Sequence, residues 1–432
     1  MFSSMQIKRS MSFSKINSSL KGDILILILP ILGLIKIELV GELFFHELIL
    51  IILFPILLLR HGDLLKRDIT KLILFFGFLW LTSQVITDMY QEIPLEDFLR
   101  GWAKIIFFLI AFSSLVMLLT TPFRCFLWIA SSTIPMFLRP FLLFSEDLDP
   151  FVLWKFGVGA AILVMICLPS LWRLLINSID VAPVRRIAWL YIAFGAGSFF
   201  FNARSFAGIS IATGILLLVY SRKYGIKLRG QILAIGLLAS ILGSVVLINI
   251  YSLGASTGLF GVEAQSKYEM QNAYGGGALA VLLGGRSEGL ISTRAIADSP
   301  ILGHGSWAKD YKYLIEYIGI SRDFTEDHGD PLNPDINDGL IPSHSYLLGA
   351  WVEAGLIGGL FWMCIIFISI FVIFPAAFRY LNMLSVYCIM MLPTFLWNII
   401  FSPFGANVRV EVGGMLAIFM ALLMMKTMVE KK

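Results

Sequence analysis

Two arginines and a histidine are the residues of this sequence whose types and surroundings could do chemistry. His344 stands in "IPSHSYLLGAWVEAGLIGGLFW", at the mouth of a long apolar segment, where an imidazole could act as a general base near neutral pH. Arg204, in "FFFNARSFAGIS", and Arg286, in "LLGGRSEGL", carry guanidinium groups that suit bidentate contact with phosphate oxygens. Together they fit a reaction in which a diphosphate leaves and an acceptor hydroxyl loses its proton.

Each of the three residues also has a simpler interpretation. His344 is compatible with an ordinary interfacial side chain, because apolar residues follow it at helical spacing. Arg204 is compatible with an arginine that reaches from the bilayer edge to the headgroups, and Arg286 with a loop arginine paired to Glu288. An arginine at the edge of the hydrocarbon usually faces a partner or a cavity, however, and the three phenylalanines before Arg204 favour a cleft.

Two secondary candidates follow Arg286 in the chain. The glycines of "GGRSEGL" precede an apparent short helix, where backbone N–H groups and the helix dipole can hold an anion. Arg294 lies two turns further along that helix. His304, in "GHG", is expected to be structural more than catalytic.

The composition indicates the kind of element that must position these residues. Of the 432 residues, 58% are hydrophobic and 14% are charged, and the mean hydropathy is +0.84. Soluble proteins of this length carry about 25% charged residues, so the deficit predicts a polytopic membrane protein that is all α. A bilayer core of about 30 Å needs roughly 20 apolar helical residues. About twelve transmembrane helices are predicted from such runs, near 24–40, 43–60, 70–87, 101–120, 122–143, 150–172, 185–201, 204–221, 230–252, 347–375, 380–401 and 408–426.

The distribution of lysine and arginine predicts the orientation. Alternate connections are rich in Lys and Arg, whereas the connections at 88–100 and 145–150 are acidic. Cytoplasmic loops are enriched in basic residues, so both termini are predicted to be cytoplasmic and the long segment 254–343 to be extracytoplasmic. The polar and basic residues 1–23 are interpreted as a cytoplasmic tail before a retained first helix, and not as a cleaved signal peptide.

Three regions follow from this topology: N-terminal membrane helices over 1–253, an extracytoplasmic loop over 254–343 and C-terminal membrane helices over 344–432. The loop carries Tyr, Trp and Leu at helical spacing, so we expect a small helical cap. Its acidic tract, 323–338, resembles part of a calcium loop without matching a complete EF-hand. A solvated loop is the favoured interpretation, and cation binding there is left open.

Motifs for cofactors are not found in the sequence. No phosphate-binding glycine loop and no HExxH is present, and the four cysteines lie in apolar stretches without metal-binding spacing. We therefore expect no cofactor, no metal site and no nucleic-acid partner. The partners expected are membrane lipids and a substrate held at the membrane surface.

The order of these motifs resembles a known family. An arginine at the outer start of a helix ("NARSFAGISIATGILLLV"), a loop with "GGRSEGL…ADSPILGHG" and then "SHSYLLGAWVEAGLIGGLFW" are similar to the O-antigen ligase and O-antigen polymerase superfamily. These are bacterial inner-membrane glycosyltransferases of the GT-C class. The similarity covers roughly 195–375. Family members often carry His-Asn where this chain has His344-Ser345, which puts a role for the neighbouring amide in doubt.

The resemblance implies a function in surface polysaccharide or O-antigen (lipopolysaccharide) biosynthesis. An oligosaccharide would pass from an undecaprenyl-pyrophosphate carrier to a sugar hydroxyl at the periplasmic face, without a metal and with inversion at the anomeric carbon. Carried over by position, Arg204 and Arg286 would bind the pyrophosphate and His344 would activate the acceptor.

Two questions remain open from the sequence. The acceptor is either a carrier-linked repeat unit, as for a polymerase, or lipid A-core, as for a ligase; the polymerase is slightly favoured. The alternative from another class is a transporter or flippase of lipid-linked glycans, for which Lys104, Lys155 and Glu353 are possible intramembrane charges. No internal repeat accompanies them.

Overall fold

The architecture is that of a helical, multi-pass membrane protein. The computed structural model describes residues 20–38, 41–143, 150–177, 180–201, 203–223, 252–259, 261–262, 265, 268, 287–324 and 339–430. Its main helices before residue 230 are α1 (Leu20–Ile28), α2 (Phe45–His61), α3 (Asp68–Tyr90), α4 (Leu95–Leu118), α5 (Pro122–Leu143), α6 (Pro150–Ile176), α7 (Ala182–Phe199) and α8 (Arg204–Lys223). Those after residue 280 are α9 (Ser287–Asp298), α10 (Tyr311–Phe324), α11 (Tyr346–Arg379), α12 (Met383–Phe401) and α13 (Arg409–Glu430).

Nine helices in the described part of the chain are long and apolar enough to cross a membrane, namely α2 to α6, α8 and α11 to α13 (α2 and α13 counted with their adjoining 3-10 turns). The all-α prediction is confirmed for these residues, apart from one small hairpin. The eighteen-residue α7 lies over the predicted span at 185–201 and packs along α8. The predicted span at 230–252 lies outside the described residues, so the total of about twelve stays a prediction.

The predicted first span at 24–40 is wrong as a continuous helix. Helix α1 has nine residues, about 14 Å at 1.5 Å per residue, and ends at Ile28. A 3-10 turn follows Pro30, and strands β1 (Lys36–Glu38) and β2 (Glu42–Phe44) then form an antiparallel hairpin. Proline interrupts the helix, and the β-branched residues of "IKI" favour the extended backbone that follows. Hydropathy could not show this, because the residues of this stretch are mostly apolar whether they form a helix or an extended strand.

The two ends of the bundle differ. We call one end the cap end: it holds the hairpin, the α3–α4 turn, and segments 299–310, 339–345 and 402–408. We call the other the basic end, because its connections carry Arg60, Lys66, Arg67, Arg173 and Arg185. Successive long helices run from one end to the other.

An aromatic cluster joins the central helices just below the cap end. Trp80 of α3 stacks on Phe361 of α11 with ring centroids 5.0 Å apart. Phe404 lies 5.0 Å from Trp362 and 5.5 Å from Phe108 of α4. In a bilayer the association of helices depends on close van der Waals packing more than on expulsion of water. Interlocked rings therefore fix α3, α4 and α11 relative to one another where the site lies.

Candidate functional site

A cavity of about 790 Å³ opens at the cap end of the bundle. Its walls come from the hairpin, from α4, from the first turns of α11 and from the segments around 307, 340–345 and 403–409. That volume is within the range of about 300–1,000 Å³ that small-molecule sites usually have. The aromatic cluster forms its floor, because Trp80, Tyr346 and Phe404 all line it.

An ion pair between two membrane helices lies in the wall of this cavity. Lys104 of α4 contacts the carboxylate of Glu353 of α11, and the two side chains are only 13% and 14% exposed. Isolated charges at this depth are costly, and pairing reduces that cost. Two of the three intramembrane charges noted in the sequence are thus each other's partners, although 249 residues separate them.

A second buried ion pair lies beside the cavity. Arg409, at the start of α13, lies 2.8 Å from Glu47 of α2 and donates to the carbonyl oxygen of Glu42, also at 2.8 Å. Its guanidinium lies 5.2 Å from the ring centroid of Phe107, another lining residue. The pair ties the hairpin, α2 and α13 together at the cavity.

The remaining cation of the wall is Arg100. It pairs with Glu96 and lies 3.4 Å from Asp97, whose carboxylate also accepts from Lys309 at 2.9 Å. The guanidinium lies 5.4 Å from the ring centroid of Trp307, within the range of a cation–π contact. The segment around residue 307 is therefore held against α4 by charge and by stacking.

Helix α11 is broken beside the cavity. Gly355 has φ 64° and ψ −157°, a conformation that only glycine adopts readily. The chain around 301–305 fills the break: His304 N–H donates to the Val352 carbonyl at 2.7 Å, and Leu356 N–H donates to the Ile301 carbonyl at 3.2 Å. A Cβ on residue 355 would lie 1.9 Å from that Ile301 oxygen. We call this stretch, residues 301–306, the cap segment. It fits into the break in α11 and hydrogen-bonds to the helix on both sides of it.

Asp88, buried near the end of α3, anchors the same cap segment. Its two carboxylate oxygens accept from the backbone N–H and the hydroxyl of Ser306, each at 2.6 Å. Trp102 N–H donates to it at 2.7 Å and the Gln84 amide at 3.1 Å. Thr87 adds a hydrogen bond to the Leu302 carbonyl at 2.5 Å. Residues 302–306 are thus fixed to the α3–α4 corner by polar contacts.

His344 lies next to the cavity in the chain. Ser343 and Ser345 on either side of it line the cavity, while His344 is not among the lining residues and its side chain is exposed. Ser345 is buried and fixes the backbone there, because its hydroxyl accepts from Leu348 N–H and donates to the Ile399 carbonyl, both at 3.0 Å. The backbone of His344 is therefore held at the start of α11, between two residues of the cavity wall.

Arg204 lies at the same end of the bundle. Helix α8 packs on α12, and Tyr220 near the end of α8 donates to the Tyr380 carbonyl, just before α12, at 2.6 Å. The two helices therefore run antiparallel, which puts half-buried Arg204 level with the end of α12, where Ile399 bonds Ser345. Arg204 is not among the residues that line the cavity.

Two further predicted site residues, Arg294 and His304, belong to the cap, and Arg286 lies outside the described residues. Arg294 is exposed on α9 and pairs with Glu316 of α10. The His304 ring lies 2.8 Å from the Ala295 carbonyl and makes an edge contact with Tyr313. These contacts give Arg294 and His304 a packing role within the cap.

Polar contacts also hold α9 against α10. Asp298 accepts from Lys312 Nζ at 2.8 Å and from the Tyr313 hydroxyl. The hydrogen bond from Lys312, followed by that from Tyr313, lowers the pKa of Asp298. Burial, reinforced by the Asp298 hydrogen bond, raises the pKa of Tyr313 above its usual range. Both shifts favour the charged acid beside the neutral phenol, the combination that the packing needs.

Only weak sequence signals mark the residues that line the cavity. Arg100 and Lys104 are one helical turn apart on an apolar helix, and Glu353 is the lone acid of another. From the sequence, Lys104 and Glu353 are identified only as possible intramembrane charges. Arg409 and Trp307 were missed, because their partners are far away in the sequence. Within the described ranges no group of three or more His, Cys, Asp or Glu side chains could hold a metal ion; the acidic tract lies outside them from residue 325.

Comparison with known proteins adds no relative: no family model, no curated protein and no solved structure matches the chain. The resemblance carried by the motifs around Arg204, Arg286 and His344 therefore remains an expectation, and the function is argued from the site.

Proposed function

We propose that this protein is a membrane glycosyltransferase that moves an oligosaccharide from an undecaprenyl-pyrophosphate carrier to a sugar hydroxyl. The observation that carries the proposal is the cavity at the cap end, with His344 between two of its lining residues and Arg204 at the same end of the bundle. A carrier lipid would present its phosphates at that level of the membrane. The chemistry of the three candidate residues fits a diphosphate leaving group and an acceptor alcohol.

In the proposed reaction the acceptor oxygen attacks the anomeric carbon of the carrier-linked sugar. The bond from that carbon to the phosphate oxygen breaks, and undecaprenyl pyrophosphate leaves with the electron pair. His344 accepts the proton of the hydroxyl. Arg204 and Arg286 stabilise the charge on the leaving pyrophosphate, the task that a metal ion performs elsewhere. Attack opposite the leaving group inverts the anomeric configuration.

The location proposed is the bacterial inner membrane, with the cap end facing the periplasm. The basic connections at the opposite end support this orientation, which leaves both termini in the cytoplasm. The product would enter surface polysaccharide or O-antigen. We favour a carrier-linked repeat unit as the acceptor, as for a polymerase, over lipid A-core.

The direct experiment uses the purified full-length protein in nanodiscs. Carrier-linked oligosaccharide extracted from the source cells serves as donor and acceptor, with EDTA present. Elongated carrier-linked glycan and released undecaprenyl pyrophosphate are the expected products. Release of the pyrophosphate without elongation would point to another acceptor. If neither of the two products forms, the proposal is overturned. In a deletion strain, loss of chain-length ladders indicates a polymerase, whereas loss of all lipid A-attached glycan indicates a ligase.

A second candidate, a transporter or flippase of lipid-linked glycans, has one observation in its favour. Transporters often combine interrupted membrane helices with buried ionisable residues, and here the break at Gly355 lies two residues from Glu353 and its partner Lys104. Proteoliposomes separate the two functions. A flippase would move fluorescently labelled carrier-linked glycan across the bilayer without forming a new glycosidic bond.

A further inference from the structure

We infer that the cavity at the cap end is a glycan subsite: it holds uncharged sugar residues of the substrate beside His344, and not the carrier's pyrophosphate. The inference rests on the proposed function and specifies which part of the substrate the cavity takes. It follows from the pairing of the charges in the wall, from the aromatic lining and from the place of Ser343 and Ser345 in that lining.

Every charged side chain that the described structure places in the wall has a partner of opposite sign. Lys104 pairs with Glu353, Arg409 with Glu47, and Arg100 with Glu96 and Asp97; on the hairpin Glu42 lies 2.7 Å from Lys36. A pyrophosphate needs positive charge that is not already neutralised. These walls offer a balanced set of donors and acceptors instead, which suits hydroxyl groups.

Aromatic side chains line the cavity together with these ion pairs. Phe107, Trp307 and Tyr346 line the cavity, together with Trp80 and Phe404 in its floor. Pyranose rings present C–H groups on their faces and hydroxyls around their edges, so they need flat apolar surfaces between polar groups.

The segment before α11 relates the cavity to His344. Ser343 and Ser345 both line the cavity, and His344 stands between them with its own side chain exposed and outside the lining. A sugar held inside would extend past these serines to reach the imidazole. The pyrophosphate would lie outside the cavity, toward the end of the bundle where Arg204 begins α8.

Photo-crosslinking tests the inference on the full-length protein. A benzophenone amino acid replaces Phe107 in the cavity wall, and Phe78 on the outer surface of α3, 64% exposed, serves as the matched control position. Each protein in nanodiscs is irradiated with extracted carrier-linked oligosaccharide, with the oligosaccharide released by mild acid, or with undecaprenyl pyrophosphate that carries no sugar. Mass spectrometry then identifies the adduct.

The expected result is a glycan adduct at position 107 with both sugar-bearing probes and only lipid adducts at position 78. With the benzophenone still at position 107, Glu353→Gln should lower the yield of the glycan adduct by about tenfold, the effect of losing one hydrogen bond to a charged group. A carrier adduct at position 107 with the sugar-free probe, or no glycan adduct there, would overturn the inference.

A transfer assay on the protein with benzophenone at position 107 distinguishes failure of the glycosyltransferase proposal from failure of the glycan-subsite proposal. Transfer without a glycan adduct at position 107 would leave the glycosyltransferase standing and remove the subsite. A glycan adduct without transfer would keep the subsite and favour the transporter. Folding of each variant is checked by its elution as a single species in detergent.

Discussion

Asp88 and Ser306 form a two-point contact that fastens the cap to the membrane helices: the carboxylate accepts from both the backbone N–H and the hydroxyl of Ser306, each at 2.6 Å. The contact is buried, so its loss leaves donors without partners. It lies beside the break in α11 and one residue from Trp307 in the cavity wall. The geometry of the site therefore depends on it.

Replacing Asp88 should loosen the cap. Asp88→Ala removes the acceptor for both Ser306 donors and for Trp102, so we expect a loss of about 1–3 kcal/mol or more in the free energy of unfolding. Hydrogen exchange should rise in residues 301–307. Asp63→Asn, at an exposed ion pair with Lys66, is the control and should change neither measurement. Unchanged exchange in Asp88→Ala would contradict the proposed anchor.

Gly355→Ala should expel the cap segment from the break in α11. The new methyl group would overlap the Ile301 carbonyl, and the backbone conformation alone costs about 1–3 kcal/mol for a residue other than glycine. We expect a lower melting temperature in detergent and faster exchange at 301–305. Gly197→Ala in α7 is the control, because apart from its own stretch of helix no atom of the described residues lies within 4 Å of the new methyl. Equal melting temperatures for both variants would show that the break tolerates a side chain.

The packing of α9 on α10 should depend on pH at both extremes. The pKa of Asp298 is lowered in the fold, so its contribution is present above its usual pKa of about 3.9 and is lost as pH falls through the lowered value. The pKa of Tyr313 is raised, so its contribution is present below about pH 10 and is lost as pH rises further. Protection of residues 311–319 from hydrogen exchange, taken relative to the intrinsic exchange rate at each pH, should be greatest in between. Tyr313→Phe should remove the alkaline loss, and Asp298→Asn the acid loss; a flat profile in the unmodified protein would refute both.

The orientation can be measured with single cysteines. Thr293 on α9 is exposed at the cap end, and Lys66 is exposed at the basic end. A membrane-impermeant thiol reagent applied to intact spheroplasts should label Thr293→Cys and leave Lys66→Cys unlabelled until the membrane is opened. The reverse pattern would place the cavity in the cytoplasm and exclude a periplasmic reaction.

Hydropathy and helix length predicted the long spans well. The run at 70–87 lies within α3, and the run at 380–401 nearly coincides with α12. The sequence failed where the backbone leaves helical geometry without a change in polarity. The hairpin after Pro30 is one case, and Gly355 is the other, since the apolar pattern of α11 runs on through its break. Tertiary insertion of the 301–305 segment dictates that break, and no local pattern reports it.

The candidate site shows the same limit. Lys104 and Glu353 stood out in the sequence as charges within apolar helices, because such residues are costly unless they are partnered. Their pairing could not be predicted, since it depends on how α4 and α11 pack around the aromatic rings. His344 and Arg204 are predicted from their types, their surroundings and the motif order, whereas the cavity next to His344 became apparent only from the fold.

The central claim is that His344 acts as the general base of a glycosyl transfer, and one comparison tests it most directly. Donor binding and single-turnover transfer are measured for His344→Ala, with His61→Ala at the exposed basic end as the matched control. We expect His344→Ala to lower turnover by about 10²–10⁴-fold with donor binding nearly unchanged, and His61→Ala to change neither. Arg204→Ala and Arg286→Ala should weaken binding and turnover together. Near wild-type transfer by a well-folded His344→Ala protein would contradict the account and leave His344 an ordinary interfacial side chain.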